Sequence, residues 1–415
     1  MNLIKKLDKL EKNLIIVNQY FPPDFASTGQ LIEELTNSLR DENFNLKVLT
    51  GMPAYKFNKK FAKPLEKRKQ TIIIRSKLSR IIPKKFKGKI FNSIFFCLRV
   101  LTHLLVLNKK NHLILYTTEP AYLPVFAWFY HKIKRIPYII LIYDIFPEIL
   151  NDLKLMNQDN IIIKIWKKLN KLSFDSSKEI IVLSSAMKNK IHNNYLIPTK
   201  KINNIPSWAD EKSIYYHPKS KNNFLKKHKL EKYFIVLYSG NQGRCHDFNT
   251  LLNAAKILKN KKDILFLFVG DGFQNESLKK ECINNNLINC MFLPFQEKKD
   301  LPLILSSASI GVVSLSEKIN GLLVPSKLYG HLACGTPIAA ISGKDSYLKK
   351  LIEEHKCGKW FENENHKDLA EWILKVFKSK ENFKQMGKSS LDLFLKEFTL
   401  DIVSKKYLKV INRNL

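Results

Sequence analysis

From Val324 to Ala340 the chain reads VPSKLYGHLACGTPIAA, and these residue types are the ones α/β proteins use to hold an anion. Pro325 and Ser326 suit a helix start, Lys327 falls in the first turn, and Gly335-Thr336-Pro337 then drops the chain into an apolar strand. First-turn amides lack an intrahelical partner, and with the positive end of the helix dipole they favour a phosphate placed over them. Pro325 forfeits nothing there, since its missing N–H would be unpaired anyway. The same residues also read as an ordinary helix start with no ligand. Two loops repeat the theme. SGNQGR (239–244) brings Gly240, Asn241, Gly243 and Arg244 to the end of an apolar run, where glycine amides and a guanidinium fork suit phosphate oxygens. VGDG (269–272) does so with Gly270, Asp271 and Gly272, although a bare turn of this kind is commonplace. Neither loop is GxGxxG or GxxxxGK[ST], so neither a dinucleotide fingerprint nor a P-loop is present.

Carboxylates form a second set. YDIFPE (143–148) places Asp144 and Glu148 after an apolar run, and TTEPAY (117–122) places Glu119 likewise. A carboxylate beyond the carboxyl end of a parallel strand faces the ligand side of the sheet, where it can orient a hydroxyl or take its proton. For Asp144 the alternative is a cap on the following turn. Ser27-Thr28-Gly29 lies at another strand-to-helix turn; Gly29 can approach a nucleotide there, or Ser27 or Thr28 can cap the helix with Gln30 completing a capping box.

These residues need elements to carry them. LIIVNQ (14–19), LKVLT (46–50), TIIIR (71–75), HLILYTT (112–118), YIILIYD (138–144) and EIIVLS (179–184) are apolar runs separated mostly by helical patterns. Continuous rather than alternating apolarity means burial on both faces, which predicts a parallel sheet. A polar, lysine-rich stretch, residues 211–232, interrupts the series. It then restarts with FIVLYSG (234–240), ILFLFVG (264–270), CMFLP (290–294), IGVVSL (310–315) and PIAAIS (337–342). The expected fold is α/β: two Rossmann-like doubly wound domains, 1–210 and 211–395, facing across a cleft, with a C-terminal helix in 396–415 packing back on the first. At 415 residues two domains are the prior expectation.

Six cysteines without a CxxC pair and the charged opening MNLIKKLDKLEKN predict a reducing cytoplasmic setting with no disulfide framework and no zinc site. The net charge of +33 is partly compositional, since lysine abounds everywhere. Between Lys56 and Lys89, however, fourteen Lys or Arg face one acidic residue, Glu66. An apolar stretch follows at 90–107, interrupted by Arg99 and His103, too short and too polar to span a bilayer. Residues 56–107 therefore read either as an anionic-membrane surface element or as a buried helix behind a solvated basic loop. No nucleic-acid-binding signature is present, so nucleic acid is not an expected partner.

The order SGN, VGDG, LPF and VPSKLYGHLACGTPIAA, after VNQYFPPDFASTGQLIEEL and LIYDIFPE, resembles glycosyltransferase family 4 with the GT-B fold, and within it bacterial capsule, O-antigen and exopolysaccharide transferases. The resemblance runs from about Asn13 to about Phe377. It implies retaining transfer of a sugar from a nucleoside-diphosphate sugar, UDP- sooner than GDP-, to a lipid-linked or oligosaccharide acceptor. The enzyme would work in the cytoplasm or at the inner face of the plasma membrane. The second domain would hold the donor through Gly240, Asn241, Gly243, Gly270, Asp271, Gly272, Pro325, Ser326 and Gly335, with Gly29 approaching from the first. Glu119 and Glu148 would lie on the acceptor side, with Asp144 catalytic. No DxD occurs, so no metal or other cofactor is expected, and Arg244 and Lys327 would meet the diphosphate charge.

Two departures stand out. Where the family has an Arg and a Lys after the first C-terminal strand, this chain has Asn241 and His246, leaving Arg244 as the replacement cation and His246 as the one histidine placed near the donor phosphates or else a simple helix-start residue. Where the family has a glutamate pair, it has Leu322 and Gly330, which leaves ribose recognition to Ser326 and Lys327. A sugar-nucleotide epimerase and a non-catalytic nucleotide-sugar-binding scaffold are the alternatives.

Overall fold

The computed structural model describes residues 12–24, 26–40, 42, 44–53, 62–68, 70–77, 86–107 and 111–415. The chain divides into two compact units, Met1–Pro206 with Val403–Leu415, and Ser207–Ile402.

Unit 1 holds β1 (Asn13–Val17), α1 (Ser27–Ser38), β2 (Asn45–Gly51), β3 (Leu65–Arg68), β4 (Thr71–Ser76), α2 (Phe86–Leu105), β5 (His112–Thr117) and α3 (Leu123–Lys134). It continues with β6 (Tyr138–Ile142), α4 (Glu148–Asp152), α5 (Ile161–Ser176), β7 (Glu179–Val182), α6 (Ser185–Tyr195) and β8 (Ile202–Asn204). The sheet order is β3-β4-β2-β1-β5-β6-β7-β8, with the β3–β4 pair antiparallel and every other pair parallel. The central strands β1, β5 and β6 are buried along nearly their whole length, as their unbroken apolar runs require. β3 breaks that pattern: LEKR alternates exposed and half-buried residues at the sheet edge. Its Glu66 sits between Arg68 and the buried Arg75, and Arg68 also reaches Glu33 at 2.6 Å. Two of the fourteen basic residues of 56–89 are thus neutralised inside the fold, while residues 56–61, 69 and 78–85 lie outside the described residues.

Unit 2 holds α7 (Asn223–His228), β9 (Phe234–Ser239), α8 (Asn249–Ile257), β10 (Ile264–Val269), α9 (Asn275–Asn284), β11 (Cys290–Leu293), α10 (Leu301–Ser307) and β12 (Ile310–Ser314). Then come α11 (Lys327–Ala333), β13 (Ile338–Ile341), α12 (Tyr347–His355), β14 (Gly358–Phe361), α13 (His366–Lys378) and α14 (Lys380–Glu397). Its six strands run parallel in the order β11-β10-β9-β12-β13-β14. The order reverses between β9 and β12, the switch point at which doubly wound sheets open a crevice beyond their carboxyl ends.

The last helix, α15 (Leu400–Asn412), ends in unit 1. Its Tyr407, Val410 and Ile411 are buried, and Arg413 and Asn414 close on Glu179 and Asn203.

Candidate functional site

In unit 2 the site grows from three loops at the carboxyl ends of β9, β10 and β12. Gly240 and Gly270 take φ of +123° and +134°, open to glycine and strained for other residues. The two loops pack backbone on backbone. A Cβ on Gly270 would stand 2.1 Å from the Gly240 carbonyl oxygen, and one on Gly272 2.5 Å from the Gln242 main chain. The Gln242 amide donates to the Asp271 carbonyl and the Gln274 amide to that of Gln242, while the Gln274 side chain donates to the Gly243 and His246 carbonyls. The Asp271 carboxylate accepts from the Gly272 amide. Asn241, exposed, accepts the Tyr238 hydroxyl through its carbonyl, and Gly243 leaves room for the Asn241 side chain. These glycines build a rigid double turn.

Against it stands Lys327. Its ammonium lies 3.3 Å from His246 Nε2 and 4.6 Å from the Tyr238 ring centroid. His246 Nδ1 lies 2.7 Å from the Ser314 carbonyl, which can only accept, so Nδ1 carries the proton and Nε2 is left to accept from Lys327. Burial, then the Lys327 charge, pushes the His246 imidazole down to about 3, so it stays neutral. Burial pushes the Lys327 ammonium down to about 7, poised to gain from an incoming anion. His246 therefore does more than begin a helix: α8 starts at Asn249, and the imidazole fixes the cation in place. Sequence reading undervalued it because its two partners are 68 and 81 residues away. Tyr238 gave no signal at all within an apolar strand.

The helix start itself differs from the expectation. α11 has seven residues, and the amides of Leu328 and Tyr329 close on the carbonyls of Pro325 and Ser326. The segment thus offers an anion its lysine, with two of its first-turn amides already bonded within the turn. Ser326 is exposed and Pro325 buried. Gly335 does not join the site. It ends α11 at the opposite end from Lys327, in a left-handed Schellman turn (φ +62°) packed on Gly387. Leu322 is buried in the fold, and Gly330 lets α11 approach Leu305 of α10. Arg244, on the same loop as His246, places its guanidinium carbon 3.2 Å from the centroid of the Phe273 ring.

In unit 1, Glu119 and Asp144 follow the adjacent parallel strands β5 and β6. Burial raises Asp144 to about 6. Burial, then the Asp144 charge, raises Glu119 to about 8. Burial, joined for Glu119 by the Asp144 charge, thus holds both carboxyls above the ordinary carboxylate range. Asp144 does not serve as a turn cap; the amides of Tyr143 and Asp144 donate to Thr118 Oγ1 instead. Glu148 departs from its expected place on the acceptor side. It is buried, accepting the Tyr195 hydroxyl at 3.1 Å and Asn194 at 3.4 Å, and so ties α4 to α6. α1 is capped by Ala26 without a side-chain bond, so neither Ser27 nor Thr28 caps it. Gly29 is required by packing, since a Cβ there would stand 2.9 Å from the Tyr20 carbonyl.

Comparison with known proteins now bears on this geometry. Residues 220–391 match the family Glycosyl transferases group 1. A probable glycosyltransferase, WbjE of Pseudomonas aeruginosa, is 24% identical over 352 residues, 83% of this chain and 84% of the relative. Among solved structures, sucrose-phosphate synthase from Thermosynechococcus elongatus superposes with a TM-score of 0.77 at 13% identity, over 97% of this chain and 98% of that one. Anabaena HepE in complex with UDP and glucose superposes at 0.72 and 13% identity, over 97% and 100%. The fold is GT-B, and the chain is a glycosyltransferase.

Proposed function

We propose that this glycosyltransferase moves a sugar, with retention and without a metal, from a nucleoside-diphosphate sugar to a hydroxyl of a lipid-linked or saccharide acceptor in cell-envelope polysaccharide synthesis. UDP is the favoured nucleotide, as the UDP complex of the similar HepE fold suggests. The observation that carries the reading is the Lys327, His246 and Tyr238 cluster beyond β9 and β12, a cation held on a neutral imidazole at the sheet's switch point. In the reaction the bond from the anomeric carbon to the phosphate oxygen breaks, and the acceptor oxygen bonds to that carbon on the same face. The acceptor proton passes to the departing phosphate oxygen. Lys327 stabilises the growing diphosphate charge, and ionised Asp144 orients the acceptor hydroxyl.

Acceptor-dependent transfer from UDP- or GDP-sugars in the presence of EDTA, giving a product of unchanged anomeric configuration, is the expected result. Equal consumption of donor with and without acceptor, or an inverted product, overturns the reading; altered free sugar released without acceptor would indicate the epimerase.

The membrane part of the proposal rests on α2, α3 and α5, which pack side by side. α2 buries Phe96, Cys97, Val100 and Leu104 and exposes Phe91, Leu98 and Leu105, so it is at once core helix and apolar surface. Phe129 and Ile133 on α3 and Ile161, Ile162 and Ile165 on α5 are exposed as well, beside Arg99, Lys132, Lys164 and Lys168. Apolar side chains flanked by basic ones suit an anionic lipid surface. No helix among the described residues is long and apolar enough to cross a membrane. The protein should float with anionic liposomes at low salt and be released as salt rises; a protein that stays in the soluble fraction at low salt refutes this surface.

A further inference from the structure

We propose that Arg244 and Phe273 together form the face on which the donor's nucleobase stacks, a role distinct from the diphosphate contact expected of Arg244. The proposal rests on the nucleoside-diphosphate reading of the site above and deepens it. Phe273 is 64% exposed, yet it is held out on the double turn that the Gln242, Asp271 and Gln274 main-chain bonds make rigid. A large apolar ring fixed in water at a strand end gains nothing from folding. It becomes favourable when a second flat surface covers it.

The Arg244 guanidinium carbon lies 3.2 Å from the ring centroid, a cation–π contact between two residues that are both exposed. A heteroaromatic base has the flat, polarisable π-face that such a stack accepts.

The placement agrees with the length of a nucleotide. In the order β11-β10-β9-β12, the Lys327 and His246 cluster belongs to the ends of β9 and β12, while Phe273 follows β10 and is reached by Arg244 from the β9 loop. Neighbouring strands stand about 4.8 Å apart, so diphosphate and base subsites one to two strands apart are separated by about 5–10 Å, the scale of an intervening ribose. The chain thus divides the donor between two cationic residues: Lys327 takes the phosphates, and Arg244, committed to Phe273, takes the base.

Titration of the full-length protein with UDP and, separately, with inorganic pyrophosphate tests this. Phe273→Ala and Arg244→Ala should each weaken UDP by about 10-fold and leave pyrophosphate unchanged, while Phe273→Tyr retains wild-type affinity. Lys327→Ala should weaken both ligands. Both Arg244 and Phe273 are exposed, and an unchanged Tm confirms that each variant is folded. Undiminished UDP binding by Phe273→Ala overturns the proposal, as does a loss of pyrophosphate affinity in Arg244→Ala. A wild-type protein that binds pyrophosphate but no nucleoside diphosphate also overturns it while sparing the anion site; one that binds neither removes the donor reading itself.

Discussion

The two units carry the same architecture and opposite chemistry at the same place. Beyond β5 and β6, unit 1 gathers Glu119 and Asp144; beyond β9 and β12, unit 2 gathers Lys327 and His246. In each unit burial opposes charge, and so it drives the groups toward neutral pH from both directions, Asp144 up to about 6 and Lys327 down to about 7. The lesson is that the sheet supplies position, while side-chain type and desolvation supply function. A carboxylate and an ammonium that would be inert charges on the surface become groups whose charge a ligand can change.

The largest expected effect comes from removing the cation. Lys327→Ala should lower turnover about 10²-fold, the scale for loss of one charge-stabilising donor, with steady-state transfer as the readout. Wild-type turnover in that variant would mean unit 2 does not hold the leaving group this way.

The contrast in titration can be broken separately. Ionised Asp144 is the active form, so turnover should rise as pH rises through about 6. Protonated Lys327 is the binding form, so donor affinity should fall as pH rises through about 7, by up to about 10-fold per unit. Asp144→Asn should abolish the acid limb and Lys327→Arg the loss of affinity at alkaline pH. A profile unchanged by both substitutions would remove the assignment.

The smallest effect on chemistry belongs to Glu148, which sharpens the distinction between a carboxylate at a site and one in a scaffold. Glu148→Ala leaves the Tyr195 hydroxyl without its acceptor and should cost about 1–3 kcal/mol of stability, measured by denaturant unfolding. Turnover per folded molecule should stay near wild type.

The strands were legible wherever the chain carries an unbroken apolar run, because a strand buried on both faces has no other way to be written. β3, β8 and β14 escaped notice. LEKR, INN and GKWF are short edge or near-edge segments with polar residues facing solvent. The glycine-rich strand-end loops and Lys327 were legible as local motifs. The pairing of Lys327 with His246 was not, nor was the withdrawal of Glu148 toward Tyr195, since each depends on residues brought together from distant parts of the chain. Gly335 misled for the converse reason: a Gly-Thr-Pro that caps a helix looks the same in sequence whether or not a ligand sits near it.

Val403–Leu415 belong to unit 1, although the whole of unit 2 precedes them in sequence. The segment after unit 2 thus completes unit 1: its Tyr407 and Ile411 fill that unit's core, and its Arg413 closes on Glu179. Truncation after Ile402 would remove none of unit 2 and would strip unit 1 of the buried side chains that close its core.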